Sequence, residues 1–354
     1  MQNLIIKIKQ QPMTNNLFKK VACFTDIHFG LRNNSRTHNT DCEEFVKWFI
    51  EEAKKAECET CIFLGDWHHH RASINVSTLN YTLSNIGFLS KAFTNVFLIM
   101  GNHDLFYRDK REINSVSFGD LYDNVHIINS IFNEGDVAIV PWLVQEEWQE
   151  MRKIKSKYMF GHFELGGFQM NQLIKMPETD GLGKQHFVNQ DIVFSGHFHS
   201  RQQQKNVIYM GNAFPHNYSD SWQDERGMMI LEWGGEPQYI KWPDAPSFKT
   251  LDLSKLIDKP EKYLKPKTYI RVNLDIDISY EEATHIKQVF TDEYDLREIV
   301  LIPKREDEHE INWTEGESVV FESVDQIVLS ELSAIQSNHI NNQKLVDIYN
   351  QLNV

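Results

Sequence analysis

The chain has 354 residues, of which 41% are hydrophobic and 24% are charged, and its formal net charge at pH 7 is -14. This length allows about two domains with a large buried core, and the composition excludes a disordered or fibrous protein. The negative charge argues against a generic polyanion-binding surface, and no run approaches the roughly 18 apolar residues of a membrane span. Because the N-terminus lacks a secretory cleavage site, we expect a cytoplasmic protein without a membrane partner, in the host cytoplasm if the chain is viral.

The first patterned segment begins near residue 21, and we interpret 1–20 as an N-terminal extension with Met13 as an alternative start. The cysteines that follow are Cys23, Cys42, Cys58 and Cys61. The last two form a single C-x-x-C, whereas zinc and redox sites of this type need a second pair or a neighbouring ligand. We therefore expect reduced, structural thiols.

Five short runs rich in β-branched and aromatic residues each predict a buried strand that ends at a polar cluster. In chain order they are KVACFTDIHFG, TCIFLGDWHHH, VFLIMGNHD, YMFGHFE and DIVFSGHFHS. Between the first two, Thr40 and Glu43 form a predicted capping box for an amphipathic helix over 40–57, and a second helix is predicted over 76–93. Strands alternating with helices indicate βαβ units, whose ligands collect beyond the carboxyl ends of the strands. All five polar clusters lie at such ends.

The later part of the chain has a different pattern. A hairpin is predicted to turn at Gly234 and Gly235, and Pro243 and Pro246 indicate a domain boundary. TYIRVNLDI, YEEATHIKQVF and EIVLIPK then predict a strand, a helix and a strand. We interpret the following acid-rich stretch as a solvated linker, and the last 30 residues contain two short helical patterns that need a surface to pack on.

The strand ends carry side chains that bind metals. They are Asp26, His28, Asp66, Asn102, His103, His162, His197 and His199. Carboxylate, imidazole and amide donors together favour manganese, iron or zinc over magnesium or calcium. Because one ion cannot take so many donors, we expect two ions about 3.5 to 4 Å apart, an arrangement that clamps both oxygens in displacement at phosphorus. Asp66 is predicted to bridge them, with one carboxylate oxygen facing each ion.

The ordered motifs D-x-H, GD, GNH, GH and GHxH resemble those of the calcineurin-like metallophosphoesterases over 21–242. TDIHFG, GNHD and SGHFHS are most similar to the SbcD-type DNA nucleases, and the modest length and final helices are similar to the short T-even-phage recombination nuclease subunits. The resemblance implies an α/β fold in which a β-sandwich of two mixed sheets is flanked by helices, with a small α/β cap module and C-terminal helices.

By this resemblance the ligands form two sets, with manganese as the preferred ion. One ion would take Asp26, His28, Asp66 and His199, and the other Asp66, Asn102, His162 and His197. His103 would be an acid or charge stabiliser at the phosphate with its ring oriented by Asp104, or would merely bond a backbone carbonyl. His69 would contact DNA, whereas His68 and His70 are interpreted as structural or exposed.

In the same view His197 and His199 hold different ions from one side of an extended segment, because residues i and i+2 of such a segment point the same way. The implied domains are the nuclease domain over 21–245, a DNA-binding cap over 246–305, an acidic linker over 306–323 and an ATPase-binding helical segment over 324–354.

The implied function is that of a DNA exonuclease and single-strand endonuclease in recombination, repair and end processing. It would act as a homodimer in complex with an SMC-like ATPase of the SbcC type. Three alternatives stay open: a stand-alone phosphodiesterase or phosphatase on a non-DNA substrate, a scaffold with a degenerate site, and final helices that fold back on the cap. The degenerate site is disfavoured because no ligand position is lost.

Overall fold

The computed structural model describes residues 16–170, 174–178, 181–221 and 225–302. The predicted acidic linker, both final helical patterns and most of the predicted N-terminal extension lie outside these residues. Within the described part of the chain, no helix is long and apolar enough to cross a membrane.

Strands and helices alternate at first, and strands then dominate until residue 252. The strands are β1 (Lys20–Phe24), β2 (Thr60–Phe63), β3 (Asn95–Ile99), β4 (Val125–Ile128), β5 (Phe132–Glu134), β6 (Val137–Val140), β7 (Ser156–His162), β8 (Gln190–Gly196), β9 (Gln202–Gln204), β10 (Val207–Tyr209), β11 (Gly227–Glu232), β12 (Gln238–Lys241), β13 (Ser247–Asp252), β14 (Thr268–Asn273) and β15 (Glu298–Ile302). The helices are α1 (Arg36–Lys55), α2 (Val76–Ala92), α3 (Leu253–Asp258), α4 (Pro260–Tyr263) and α5 (Tyr280–Tyr294). Short helical turns lie at Leu31–Asn34, Ser117–Leu121, Glu147–Lys153, Lys184–His186 and Tyr218–Asp220.

Two six-stranded mixed sheets form the larger part of the fold. Their strand orders are β12-β11-β1-β2-β3-β4 and β5-β6-β7-β8-β10-β9. Four neighbouring strands run parallel in each sheet. Strands β5 and β9 pair antiparallel at the two edges of the second sheet, and in the first sheet β11 runs antiparallel to both of its neighbours, β1 and β12. With helices on their outer faces, these sheets confirm the predicted α/β sandwich.

Alternation along the strands explains why the sheets stack. In β1, Val21 and Cys23 point into the layer between the sheets, where they join Phe160 of the second sheet. Ala22 and Phe24 point the other way and join the cluster on the helical side. Successive side chains of a strand face opposite sides of the sheet, so β1 contributes side chains to two apolar clusters. Each fully buried large apolar side chain contributes about 1.5–3 kcal/mol to folding.

The predicted start of the first helix is wrong. Helix α1 begins at Arg36, because the Ser35 hydroxyl accepts a hydrogen bond from the His38 backbone N–H at 3.4 Å. Thr40 lies inside the helix, and its hydroxyl pairs with that of Tyr81 at 3.0 Å. The N-cap is therefore Ser35, five residues before the Thr40 that the capping box predicted.

The five predicted strands, the second helix and the hairpin at Gly234 are confirmed. The prediction missed other strands, including β9, whose residues are all glutamine, and β5, which has three residues at a sheet edge. Such short edge strands bury little, so hydrophobic periodicity does not reveal them.

A third, parallel sheet of β13, β14 and β15 forms a small module with α3, α4 and α5. The strand, helix and strand from Thr268 onward lie where the sequence predicts them, and β13 is an additional strand. This module has its own apolar cluster, which includes Leu251, Ile270 and Ile299. Lys267 ties it to the larger part through Glu44 on α1 at 2.5 Å.

Candidate metal centre

Polar side chains converge at one edge of the sandwich, where β1, β2, β3, β7 and β8 end. Two glycines make this convergence possible. A Cβ on Gly101 would collide with the Asp66 carboxylate and backbone N, and one on Gly65 would collide with the His162 ring. Gly65 also has a φ of +102°, which favours a residue without a side chain. The chain can therefore bring the ends of β2, β3 and β7 into direct contact.

A first group of donors consists of Asp26, His28 and His199, whose ligand atoms all lie within 4.8 Å of one another. The Nε2 atoms of both histidines are 4.0 Å from Asp26 Oδ1. The Asp26 carboxylate is held by the Thr25 hydroxyl, which donates at 2.6 Å, and by the His197 backbone N–H at 3.0 Å. These contacts orient a buried carboxylate toward two imidazoles.

A second group consists of Asp66, His162 and His197, again within 4.8 Å. Asn102 belongs with it, since its Oδ1 is 3.1 Å from His162 Nε2 and 3.1 Å from His197 Nδ1. His162 Nδ1 donates to the Leu64 carbonyl at 2.7 Å, which leaves Nε2 available as a ligand. A carboxylate oxygen, an amide oxygen and two imidazole rings thus face one point.

Asp66 lies between the two groups. Its Oδ2 is 3.7 Å from His28 Nε2 and 3.4 Å from His162 Nε2. Its Oδ1 instead accepts the His103 backbone N–H at 2.8 Å. The prediction that each carboxylate oxygen faces one ion is therefore wrong: a single oxygen, Oδ2, faces both groups, and the other oxygen is used to hold the carboxylate in place.

The two groups fit a pair of divalent cations. His28 is 3% exposed, and neither of its ring nitrogens has a hydrogen-bond partner among the described residues. A buried imidazole without partners costs free energy that a ligand would recover. Its Nε2 faces carboxylate oxygens of Asp26 and Asp66, so a cation between them would satisfy all three side chains.

The electrostatics of the centre agree with cation binding. Burial holds the pKa of His28 well below its usual range, so its ring is neutral and able to coordinate. Burial opposes a proton on His162 as well, but the Asp66 carboxylate outweighs it and raises the His162 pKa to about 9. Burial would raise the pKa of Asp66, yet His162 and His28 bring it well below its usual range. In the metal-free protein a proton on His162 offsets the Asp66 charge, and a cation would displace that proton.

His103 lies beside the first group, but Asp104 does not orient it. His103 Nδ1 donates to the His69 carbonyl at 2.7 Å, and its ring is 5.0 Å from that of His28. The rings of His103 and His69 stack at 5.4 Å with an interplanar angle of 17°. The predicted orienting role of Asp104 is therefore corrected: a backbone carbonyl fixes the ring and leaves Nε2 without a hydrogen-bond partner among the described residues.

Asp104 is buried and binds the backbone of two loops instead of the His103 ring. Its carboxylate accepts the backbone N–H groups of Asp66 and Gly101 at 2.9 Å each and of His68 at 3.0 Å. Burial and the nearby Asp66 raise the pKa of Asp104 to about 7. This side chain fixes the two loops that carry Asp66 and Asn102.

The remaining predicted histidines divide as follows. The His69 ring groups with His28 and His103 within 4.8 Å, and burial lowers its pKa to about 4. His68 is structural as predicted: it is 1% exposed and contacts Ser115 Oγ at 2.8 Å and Thr82 Oγ1 at 2.7 Å. His70 is half-buried at the edge of the site.

His197 and His199 face different groups, but not from an extended segment. Strand β8 ends at Gly196, and His197 has a left-handed φ of +93°. This turn directs His197 toward His162 and lets His199 reach His28, with ring centroids 5.3 Å apart in each pair. The prediction of an extended segment is therefore wrong, and the turn at His197 separates the two side chains.

Sequence reasoning missed three residues that support the site. Glu164 Oε2 is 3.1 Å from His197 Nε2, which leaves His197 Nδ1 facing the second group. Trp142 packs on both histidines of that group, with ring centroids 5.9 Å from His162 and 5.2 Å from His197. His216 is buried, and its Nε2 donates to the Asp26 carbonyl at 2.8 Å. Glu164 could have been found from its position two residues after His162; the other two have no local signal.

The paired groups sharing one carboxylate oxygen define a metal-dependent phosphoesterase. The chain belongs to the calcineurin-like phosphoesterase family, whose model matches residues 19–231. This family binds two metal ions, and the two groups are the donors that the chain offers for them.

One similar protein is Exonuclease subunit 1 of Enterobacteria phage T4, which is 26% identical over 222 residues. That match spans 60% of this chain and 64% of the phage protein.

Two solved structures are also similar. Pseudomonas putida nuclease MPE has a TM-score of 0.29 and 15% identity, with 60% of this chain and 84% of that chain covered. A dimetal phosphatase from Danio rerio has a TM-score of 0.39 and 9% identity, with 61% of this chain and 92% of that one covered. Membership of the family therefore rests on the family model and the donor geometry.

Proposed function

We propose that this metallophosphoesterase is a two-metal DNA nuclease that hydrolyses phosphodiesters as an exonuclease and a single-strand endonuclease. The observation that carries the proposal is Asp66 Oδ2 facing both donor groups, with the His103 ring held beside them through its Nδ1. The sequence likeness to Exonuclease subunit 1 of phage T4 supports DNA as the substrate.

The first group would hold one ion through Asp26, His28, Asp66 and His199, and the second would hold another through Asp66, Asn102, His162 and His197. Bound divalent ions, with manganese preferred, would activate water and neutralise charge on the phosphodiester. His103 is positioned to give a proton to the leaving oxygen or to stabilise its charge, because its other nitrogen is committed to the His69 carbonyl. His69, stacked on His103, would contact the substrate phosphate.

An exposed loop next to the site has features that suit nucleic acid. Phe106 and Tyr107 follow His103 closely and are 44% and 39% exposed, and Lys110 lies 5.6 Å from the Tyr107 ring. Exposed aromatic rings offer stacking surfaces for bases, worth about 1–3 kcal/mol per base. The loop is anchored by Arg111, which pairs with Glu147 at 2.5 Å. We propose that this loop contacts bases near the cleaved phosphodiester.

The domain roles are part of the same proposal. The nuclease domain would span 21–245, preceded by an extension over 1–20, and the module over 246–305 would contact DNA. The linker 306–323 would tether the segment 324–354, which would bind an SMC-like ATPase of the SbcC type, and two nuclease subunits would form a homodimer. Support for a multisubunit role comes from the phage relative, whose name describes one subunit of an exonuclease.

The test is hydrolysis by the full-length chain with Mn²⁺ on three substrates: linear duplex DNA, circular single-stranded DNA and a chromogenic phosphodiester. We expect all three to be cleaved. Cleavage of the chromogenic ester alone would contradict the nuclease and favour a stand-alone phosphodiesterase.

Replacing Phe106 and Tyr107 together by alanine should lower the cleavage of both DNA substrates at least tenfold and leave the chromogenic ester unchanged, because only DNA offers bases to stack. Ile113→Ala is the matched control, since this side chain is 51% exposed in the same loop but is not aromatic. Equal losses on DNA and on the ester would contradict the role of the loop.

A further inference from the structure

The segment 26–34, which carries Asp26 and His28, contains several left-handed backbone angles. Both residues have left-handed φ angles, of +50° and +53°, and Arg32, Asn33 and Asn34 follow with φ between +55° and +60°. Such angles are uncommon outside glycine, less so for asparagine, aspartate and histidine than for arginine, and a run of them persists where surrounding contacts stabilise it. The segment 26–34 is therefore held in place by contacts from outside itself.

The main part of the fold supplies some of these contacts. Asn39 Oδ1 accepts the Gly30 backbone N–H at 2.8 Å, and the Thr78 hydroxyl donates to Asn34 Oδ1 at 3.1 Å. These bonds fix both ends of the turn 30–34. Between the ends, the Arg32 side chain extends toward the small module.

The small module binds the Arg32 side chain with two aromatic rings. The guanidinium lies 4.0 Å from the Tyr269 ring centroid and 4.8 Å from that of Phe248. These rings belong to β14 and β13, and they stack on each other at 4.7 Å with an angle of 4°. A planar cation over an aromatic face is a directional contact, which a lysine does not reproduce.

The same guanidinium connects to the metal centre. Arg32 Nη2 donates to the His216 carbonyl at 3.1 Å, and His216 Nε2 donates to the Asp26 carbonyl at 2.8 Å. The His216 ring is 5.5 Å from the rings of both His28 and His199. His216 thus contacts every member of the first group.

The module also contacts the segment that carries His216. Asp220 Oδ2 accepts the His216 backbone N–H at 2.8 Å, so the segment 216–220 is a closed turn. Tyr218 in that turn has the Arg271 guanidinium of β14 at 3.9 Å from its ring and the Phe248 ring at 5.3 Å. The module therefore contacts the turn directly as well as through Arg32.

The second group has no comparable connection to the module among the described residues. Its histidines are fixed from the sandwich, by the Leu64 carbonyl for His162 and by Glu164 for His197. Release of the module would therefore disturb one group and spare the other.

We propose that Arg32 is a positioning residue that couples docking of the small module to the first cation group. When Phe248 and Tyr269 hold Arg32, His216 supports the Asp26 backbone and the group keeps its geometry. When the module moves away, the support is lost and the first group binds its cation more weakly. A partner that displaces the module would thereby switch one of the two ions. This inference rests on the cation sites of the proposed function.

The test is Mn²⁺ titration calorimetry of the full-length chain, with hydrogen exchange of the amides in 26–34 measured on metal-free protein. His199→Ala and His162→Ala assign the two binding events to the first and second group. We expect Arg32→Ala to weaken the first-group event about 10–100-fold, the usual effect of losing a support behind a ligand, and to change the other less than twofold. Exchange in 26–34 should rise in the same variant.

Three further variants test whether the flat contact of Arg32 is responsible. Lys255→Ala is the matched control, since it removes an ion pair with Asp252 that lies within the module and involves neither aromatic ring, and it should leave both binding events unchanged. Arg32→Lys keeps the charge but loses the flat contact, so it should fall between wild type and Arg32→Ala. Tyr269→Ala removes the same contact from the side of the module and should reproduce the Arg32→Ala pattern. It therefore keeps the test decisive if Arg32→Ala folds poorly.

Two intact binding events and unchanged exchange in Arg32→Ala would overturn the role of Arg32, and so would equal weakening of both events. A wild-type chain that binds no Mn²⁺ would overturn the cation sites themselves, and the coupling with them. The two failures are therefore distinguishable.

Discussion

The two donor groups are built differently although they share Asp66. In the second group each imidazole is fixed through its other nitrogen: His162 is bonded to the Leu64 carbonyl at 2.7 Å and His197 to Glu164 at 3.1 Å. In the first group neither nitrogen of His28 has such a partner among the described residues, and the side chain of His199 is 28% exposed. The second group is oriented by side-chain hydrogen bonds, and the first by the backbone that carries it.

This difference predicts different responses to mutation. A ligand fixed by a hydrogen bond loses affinity when that single partner is removed. A ligand fixed by its backbone loses affinity when the packing of a whole segment changes. The shared oxygen, Asp66 Oδ2, is the point at which both groups fail together.

The largest effect is expected for Asp66→Asn. The amide keeps the shape but removes the negative charge that faces both groups, so hydrolysis should fall below detection and at most one Mn²⁺ should remain bound. Turnover of the chromogenic phosphodiester and metal content of the purified variant measure this. Asp109→Asn, an exposed carboxylate in the 105–114 loop, is the control. Near-normal turnover in Asp66→Asn would show that the groups do not depend on a shared carboxylate.

His103→Ala should lower the rate about 10²–10⁴-fold, the usual contribution of a general acid or base, while both ions stay bound. The reason is that His103 approaches the first group without completing it, and its backbone N–H, which holds Asp66 Oδ1, survives the substitution. His285→Ala, an exposed histidine on α5, is the control. Loss of one ion from the variant would make His103 a ligand and enlarge the first group.

Glu164→Gln addresses the second group alone. The carboxylate fixes His197 with Nδ1 toward Asn102, and its replacement should weaken the second Mn²⁺ about 10–100-fold without affecting the first. Glu164→Ala should weaken it more, because the amide of Gln still accepts a hydrogen bond. Calorimetry with Glu134→Gln, an exposed residue of β5, as the control measures this. Weakening of the first event instead would reverse the comparison.

The sequence predicted the clustering of the donor side chains better than it predicted their supports. Asp26, Asp66 and His162 follow apolar runs, and such runs with polar ends identify strand termini in an α/β sheet. The supports depend on contacts between distant segments. Asp104 is next to His103 in sequence, yet it accepts backbone N–H groups 36 and 38 residues away. His216 meets Asp26 across 190 residues, a separation over which no local pattern carries information.

In the fold, too, segments with a local apolar pattern were easier to predict than segments without one. The five predicted strands that end at the metal centre are largely buried on both faces, and such strands read as continuous apolar runs. Strand β9, with three glutamines at a sheet edge, has no such run and was missed. The predicted start of α1 is wrong because Ser35 and Thr40 both carry hydroxyls suited to a helix N-terminus. Ser35 accepts the His38 backbone N–H, whereas the Thr40 hydroxyl pairs with that of Tyr81.

The smallest effect on both groups is expected from removing residues 324–354. All the donors and supports described above lie between Thr25 and Arg271, so a chain ending at Ser323 should bind two Mn²⁺ and cleave the chromogenic phosphodiester within about twofold of the full chain. The removed segment carries Val328, Leu332 and Ile335, then Leu345, Ile348, Tyr349 and Leu352, at helical spacing. Apolar residues at that spacing suit helix-in-groove binding, so the truncated chain should no longer co-purify with the proposed ATPase partner. The double substitution Leu345→Asp with Ile348→Asp should reproduce this loss at full length. Loss of metal-dependent activity on truncation would instead favour final helices that fold back on the small module, and would extend the support of the first group beyond residue 323.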